Sequence, residues 1–319
     1  MNNETLHSRD DIIASNMREI SLEQSAYAEA RICEISEIAR AACEEALEMY
    51  NDGYGVYEIL SVISETVTSP MCADIHKDAL TENRERLRNY LELLTRYDKT
   101  VFTELFLDGI AKGGIDLREG DFLSSDEGNG KVTYVKNPLA DEAYDVFSQD
   151  FTDLTLKYSQ TFAEACAAVR SGEAEYALLP LEERGGARLS SVAQLIFSED
   201  LRINSVTPVF GYEGTADMKY ALVSKHFYLP RIKEDDDRYL EIRLPTEKAQ
   251  SLSELLVATE SFGIKLYRVN TVYFDSEDGR LPYYSVVFRE EGGDFAKLLT
   301  YLTLFSGEYT PVGLYKNLE

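Results

Sequence analysis

Several things are scarce in this chain, and each scarcity narrows what it does. No run of about 18 or more apolar residues occurs, so no segment reads as a membrane span. Residues 1–5, Met-Asn-Asn-Glu-Thr, offer neither a basic leader nor an apolar stretch, so the expectation is an unexported, cytoplasmic protein. Basic side chains are few: 32 against 57 acidic ones, a formal charge of −25, which repels a phosphate backbone. The one basic run, Arg84-Glu85-Arg86-Leu87-Arg88, is short and sits among acids, so neither nucleic acid nor membrane is an expected partner. Only His7, His76 and His226 are present, none beside a Ser or Cys in a nucleophile motif, which disfavours a triad enzyme. Cys33, Cys43, Cys72 and Cys166 form no C-x-x-C pair, and are expected to be buried, reduced thiols. The acidic run Glu234-Asp235-Asp236-Asp237 lacks the alternating ligands and Gly of a calcium loop, and reads as a solvated linker. No metal and no cofactor are expected.

What is present is ordinary globular material. Apolar residues make up 44% and charged residues 28%, enough to build cores, and 319 residues exceed what one core usually serves, so two or three domains are expected. From Asp10 to about Tyr50 apolar residues recur at helical spacing (Ile13, Met17, Ile20, Tyr27, Ile32, Ile35, Ala39, Ala42, Ala46, Met49), which predicts a long amphipathic helix. Asn51-Asp52-Gly53-Tyr54-Gly55 breaks it, and a shorter helix is expected from Val56 to Val67, before Ser69-Pro70. Helical spacing returns through Leu80, Leu87, Leu91, Leu94, Val101, Leu105 and Ile110 and stops at Gly113-Gly114. These segments make an all-helical region, taken as residues 1–123.

The Gly-, Ser- and acid-rich stretch 124–130 marks a boundary, after which the period changes. Strands at 132–135, 154–158, 176–181, 203–210 and 220–223 alternate with helices at 141–151, 162–170 and 190–197, which indicates an α/β lobe over 131–228. Beyond the run 233–238 the order becomes strand 239–244, helix 250–262 closed by Gly263, strand 264–274, strand 283–288, helix 295–305 and strand 309–314. That βαββαβ order is the ferredoxin-like arrangement, over 238–319. The fold class is therefore α+β and multi-domain: an N-terminal all-α region, one α/β lobe and a ferredoxin-like unit.

The stretch Gly172-Glu173-Ala174-Glu175-Tyr176, a hydrophobic strand, then Pro180-Leu181-Glu182-Glu183-Arg184 resembles the heart of a prephenate dehydratase, where a helix ends in Gly-Glu-Ala-Asp-Tyr and the strand leads to Pro-Ile-Glu-Asn-Ser. In that family an acid protonates a departing hydroxyl as carbon dioxide leaves, and cations hold the carboxylates in a water-poor cleft. The resemblance implies a Thr-Arg-Phe motif on the last strand of the lobe; here those positions are Met218, Lys219 and Tyr220. Met218 has no hydroxyl to supply the proton, and Lys219 keeps the charge without the two-pronged guanidinium grip. Glu182 matches the family's Glu, whereas Glu183 stands for Asn and Arg184 for Ser. Glu182, Arg184, Lys219 and Tyr220 are the implied ligand-binding residues. Only about fourteen residues separate Ile203 from Met218, far fewer than a second lobe requires.

The ferredoxin-like unit resembles an ACT domain, the amino-acid-sensing module that follows the dehydratase in this family. The resemblance puts effector contacts at Ser251, Leu252, Gly263, Asn270 and Thr271. The helical region stands where bifunctional members carry a chorismate mutase, with Arg31 and Arg40 as candidates to meet substrate carboxylates. Three readings follow from the resemblance: a catalytically degenerate dehydratase relative that binds a ligand or regulates aromatic amino-acid metabolism; an active mutase or dehydratase of phenylalanine synthesis; and a non-catalytic dimeric scaffold. The expected partners are a small aromatic acid or amino acid and further copies of the same chain, as a homodimer or higher homo-oligomer.

Overall fold

The computed structural model describes residues 9–64, 87, 90–91, 93–123, 130–149, 154–183, 185, 188–212, 216–227, 237–246, 249–276, 279–306 and 309–317. It contains two compact units: Met1–Gly55 with Ser69–Asp116, and Val56–Thr68 with Leu117–Glu319.

The first unit is helical. Helix α1 (Arg9–Asn51) matches the long periodic segment, and the chain leaves it through Gly53 at φ 91°. The second described helix of this unit, Arg96–Lys112, is α3 in chain order. It starts at a reciprocal cap, in which the Thr95 side chain accepts from the Asp98 amide and the Asp98 carboxylate accepts from the Thr95 amide. Gly109 and Gly113, one turn apart, let α1 lie close, since a Cβ at either would strike Cys43 or Leu47. The thiol of Cys43 donates to the Phe106 carbonyl at 3.4 Å. Cys43 and Cys166 are buried as expected, but Cys33 is exposed, because it lies on an uncovered face of α1; Cys72 falls outside the described residues. The helical spacing expected around Leu80 also falls outside them, as do most of the boundary at 124–130 and the acidic run from Glu234.

The second unit is built on one mixed sheet of nine strands: β1 (Lys131–Val135), β2 (Thr155–Ser159), β3 (Tyr176–Glu183), β4 (Arg202–Val209), β5 (Met218–Ser224), β6 (Arg238–Pro245), β7 (Ile264–Ser276), β8 (Gly279–Glu290) and β9 (Thr310–Asn317), in the order 2-1-3-5-4-9-6-8-7. Its helices are α2 (Val56–Ser64), α4 (Pro138–Ser148), α5 (Phe162–Arg170), α6 (Ser190–Ser198), α7 (Ala249–Ser261) and α8 (Phe295–Phe305). Helix α4 begins three residues before the expected position, because Asn137 caps it and Pro138 suits its first turn. Helix α2 packs on α8, and Leu123 joins the core under α7 and α8, so both segments belong to the sheet unit rather than to a helical region spanning 1–123.

In the lobe, alternation along β3 divides two cores. Tyr176 and Leu178 face α4, while Ala177, Leu179 and Leu181 face α5 and α6, so both faces are covered, as near-continuous apolar strands demand. Strands β4 and β5 form an antiparallel pair joined through residues 210–217, so no second lobe is inserted there. The C-terminal strands are antiparallel in the order 9-6-8-7, the ferredoxin-like topology. One face of them packs α7 and α8 through Leu240, Ile242, Leu244, Val286, Phe288 and Leu314. The other face, carrying Tyr239, Val287 and Tyr315, joins the lobe's own core.

That merger rests on a parallel pairing of β4 with β9, in which Ile203 lies opposite Gly313. A Cβ at residue 313 would come within 2.8 Å of the Ile203 Cβ and 2.9 Å of its carbonyl oxygen, closer than packed atoms tolerate. Gly313→Ala is expected to lower stability by about 1–3 kcal/mol, the usual cost of overpacking, measured by urea unfolding; an unchanged midpoint would show that β9 does not need this close approach.

Candidate ligand-binding site

Two β-bulges decide which charged side chains meet. In β3 the register against β5 slips between Pro180 and Glu182, leaving Leu181 as the extra residue. Strict alternation would send Glu182 toward α4 with Tyr176 and Leu178; the bulge turns it to the opposite face, across from Lys219. In β7 a second slip between Leu266 and Arg268 makes Tyr267 the extra residue and re-aims Arg268 in the same way. Glu182 and Arg268 then form an ion pair across the space between the lobe and the inner face of the C-terminal strands. Lys219 Nζ lies 3.2 Å from the other oxygen of Glu182. Both carboxylate oxygens of Glu182 are thus occupied, and its side chain is only 8% exposed.

A second buried group lies alongside. The chain after β3 turns back so that Arg188 makes an isolated antiparallel bridge with Glu182, and the Leu189 amide donates to the Leu181 carbonyl. The Arg188 guanidinium, buried, pairs with Glu241 of β6 and donates to Ser285 Oγ at 3.2 Å. Ser285 Oγ donates to Glu241 at 2.8 Å, and the Tyr315 hydroxyl reaches the other Glu241 oxygen at 3.5 Å. Burial alone would lower the Arg188 guanidinium, but the Glu241 charge and hydrogen bond outweigh it and hold the group above its ordinary value. Burial, then the Glu241 charge, push the Tyr315 phenol well up, so it stays a neutral donor.

Glu182, Lys219, Arg268, Arg188 and Tyr315 line a cavity of about 390 Å³, counted out to its mouth, with Tyr239, Tyr267, Asn270 and Val287. Of its three cations, Arg188 is neutralised by Glu241 behind it, while Lys219 and Arg268 share Glu182, leaving one formal positive charge in excess. The excess charge is positive, and the hydroxyls of Ser285 and Tyr315 serve Glu241. Among the described residues no three His, Cys, Asp or Glu side chains gather to hold a metal ion.

The residues singled out from sequence separate into groups. Glu182, Lys219 and Asn270, drawn from three different motifs, line one cavity. Met218 and Tyr220 flank Lys219 in sequence but face the core beneath α4, where the Tyr220 hydroxyl donates to Asn137 at 3.3 Å and burial raises its phenol. Glu183 is exposed at the end of β3, opposite Met218, and Arg184 lies outside the described residues. Ser251 and Leu252 lie on α7, and Leu252 packs into the core on the far face of the sheet. Gly263 takes φ 69° in the turn after α7, and Thr271 is exposed opposite Tyr284. Arg31 is held by Asp98 at 2.8 Å and by Glu34 at 2.5 Å, chiefly through hydrogen bonds to those carboxylates, which raise it. Arg40 is exposed; nine residues along a helix place it about 13.5 Å and half a turn from Arg31, so the two do not converge. The sequence reading missed Arg268 and Glu241. The available signal was Glu241 and Arg243 alternating with Leu240, Ile242 and Leu244, two charges on one face of a strand rich in apolar residues.

No protein-family model matches the sequence, and no curated protein does. Among solved structures the chain is similar to a prephenate dehydratase from Streptococcus mutans, with 16% identity and a TM-score of 0.47, covering 59% of this chain and 99% of the other. It is also similar to GqqA, described as a novel type of quorum quenching acylase, with 21% identity, a TM-score of 0.45 and coverage of 59% and 96%. A prephenate dehydratase from Arthrobacter aurescens, solved in complex with L-Phe, has 14% identity, a TM-score of 0.42 and coverage of 58% and 89%.

Arg188→Met leaves Glu241 buried without its cation and is expected to cost about 3–5 kcal/mol in urea unfolding, whereas the double variant Arg188→Met/Glu241→Leu should recover most of that loss. Equal destabilisation in the two variants would mean that the arginine acts by packing alone.

Proposed function

We propose that this protein is a catalytically degenerate relative of prephenate dehydratases that binds a small aromatic acid or amino acid and acts by binding or regulation rather than by turnover, with an ACT-like C-terminal unit. The observation that carries this reading is the state of Glu182: its two oxygens are taken up by Lys219 and by Arg268, a residue of the C-terminal unit itself. Dehydration requires a proton donor beside the departing hydroxyl. Residue 218, where the resemblance implies a threonine, is a methionine turned toward the core beneath α4. The β4–β5 connection holds no second lobe, and the inner face of the C-terminal sheet lies against the tip of β3. The one positive charge in excess suits a monoanion better than the dianion that a dehydratase binds.

A mutase role for the helical region has less support. Arg31 is engaged with Asp98 and Glu34, and Arg40 projects from the other side of α1.

Assay of the purified full-length chain with prephenate and with chorismate tests the proposal. The expected result is no phenylpyruvate or prephenate formation above the uncatalysed background. Turnover of either substrate at about 1 per second or faster, within the ordinary enzyme range, would overturn it. Loss of chorismate turnover in Arg31→Ala or Arg40→Ala would then identify the mutase.

A further inference from the structure

A second cavity lies beside the first, shares Arg188 with it, and is of different chemical character. It is enclosed by α6, by the end of β7 and by the inner face of β6 and β8, with about 460 Å³ of free space counted out to its mouth. Its wall is aromatic: the ring centroid of Phe197 on α6 is 4.0 Å from that of Phe274 and 5.0 Å from that of Tyr283. Ile196 and Val312 complete the apolar lining.

Two cations line the cavity: Arg188, whose charge is matched by Glu241 in the same lining, and Arg243. The guanidinium carbon of Arg243 lies 3.8 Å from the centroid of Phe197 and 5.7 Å from that of Tyr283. Stacking on a ring uses the face of a guanidinium and leaves its in-plane N–H fork free to grip a carboxylate. The other arginines of the second unit's interior all have acids: Arg188 has Glu241, Arg268 has Glu182, and Arg238 has Glu119 and Glu290. Among the described residues the Arg243 side chain makes no ion pair and no hydrogen bond, although acidic residues outnumber basic ones by 57 to 32 along the chain. Burial pulls it down to about 10, against a partial opposing pull from Tyr283, Asp200 and Glu241, so it remains charged at neutral pH. Within the same cavity Arg188 Nε is buried and has no hydrogen-bond partner.

We infer that the cavity enclosed by Arg243, Phe197, Phe274 and Tyr283 binds a small aromatic monocarboxylate, its carboxylate on the Arg243 fork and its ring against the aromatic wall. A single unmatched cation among apolar rings selects for one negative charge joined to a planar apolar body. Inorganic anions and nucleotides lack that combination: the former have no apolar body, and the latter need several cations for their phosphates. This inference deepens the binding role proposed above by giving the ligand a site apart from Glu182 and Lys219.

Calorimetric titration of the full chain with 3-phenylpropionate tests it, with 3-phenylpropan-1-ol and propionate as controls. Saturable binding of the aromatic acid is expected, with at least tenfold weaker binding of either control. Arg243→Met should weaken the acid by at least tenfold, and Arg243→Lys, which keeps the charge but loses the fork, should fall between the two. Phe197→Leu should weaken it several-fold and serves if Arg243→Met does not fold. Absence of binding by the wild-type chain, or equal affinity in wild type and Arg243→Met, would overturn the inference. Weakened binding in Lys219→Met with Arg243→Met unaffected would also overturn it, by placing the ligand in the neighbouring cavity, while leaving the binding role itself intact. Turnover of prephenate, by contrast, bears on that role and not on this site.

Discussion

Strand β9 lies against β4 only because residue 313 has no side chain, and the arrangement of the whole second unit follows from that contact. Two sheets that would otherwise have separate edges become one of nine strands. The C-terminal strands are thereby fixed with one face on α7 and α8 and the other turned to the lobe, where Tyr239, Val287, Val312 and Tyr315 share a core with α5 and α6. An isolated ferredoxin-like unit leaves that second face to water; here it is an internal surface, and the polar residues on it must find partners.

Those partners explain the chemistry of the region. Once Glu241 is buried it needs a cation, and Arg188, brought back by the turn after β3, supplies it. Once the tip of β3 meets β7, Glu182 takes its second cation from Arg268. Buried ion pairs contribute little net stability, yet breaking one is costly, so the network resists rearrangement more than it strengthens the fold. A carboxylate held in this way at both oxygens is poorly suited to exchange partners with a reacting substrate. The same packing leaves the Arg243 guanidinium stacked on the rings of Phe197 and Tyr283 without an ion pair among the described residues.

Much of this architecture was legible in the sequence, because it depends on local period. The 43-residue helix α1, the βαββαβ order and the short interval between Ile203 and Met218 all follow from spacing and breakers. Glu182 and Lys219 were legible as neighbours because they lie on motifs whose strands pair. The bulges were not: an extra residue at Leu181 or Tyr267 changes which face a side chain takes without altering the apolar pattern that reveals the strand. Alternation along β6 showed Glu241 and Arg243 sharing a face, but nothing local distinguishes a face turned to solvent from one covered by α6 some fifty residues earlier. The coverage comes from a long-range pairing, of which Gly313 is the only trace, and one glycine among 19 carries no such label.

The contact between Glu182 and Arg268 joins the lobe motif to the C-terminal unit, and its coupling energy measures the account most directly. A double-mutant cycle with Glu182→Gln and Arg268→Met, followed by urea unfolding, isolates it. A coupling of about 1–3 kcal/mol is expected for two such groups in direct contact. Additivity of the two substitutions to within about 0.3 kcal/mol would show that the carboxylate at the tip of β3 is free, and would contradict the closed site described above.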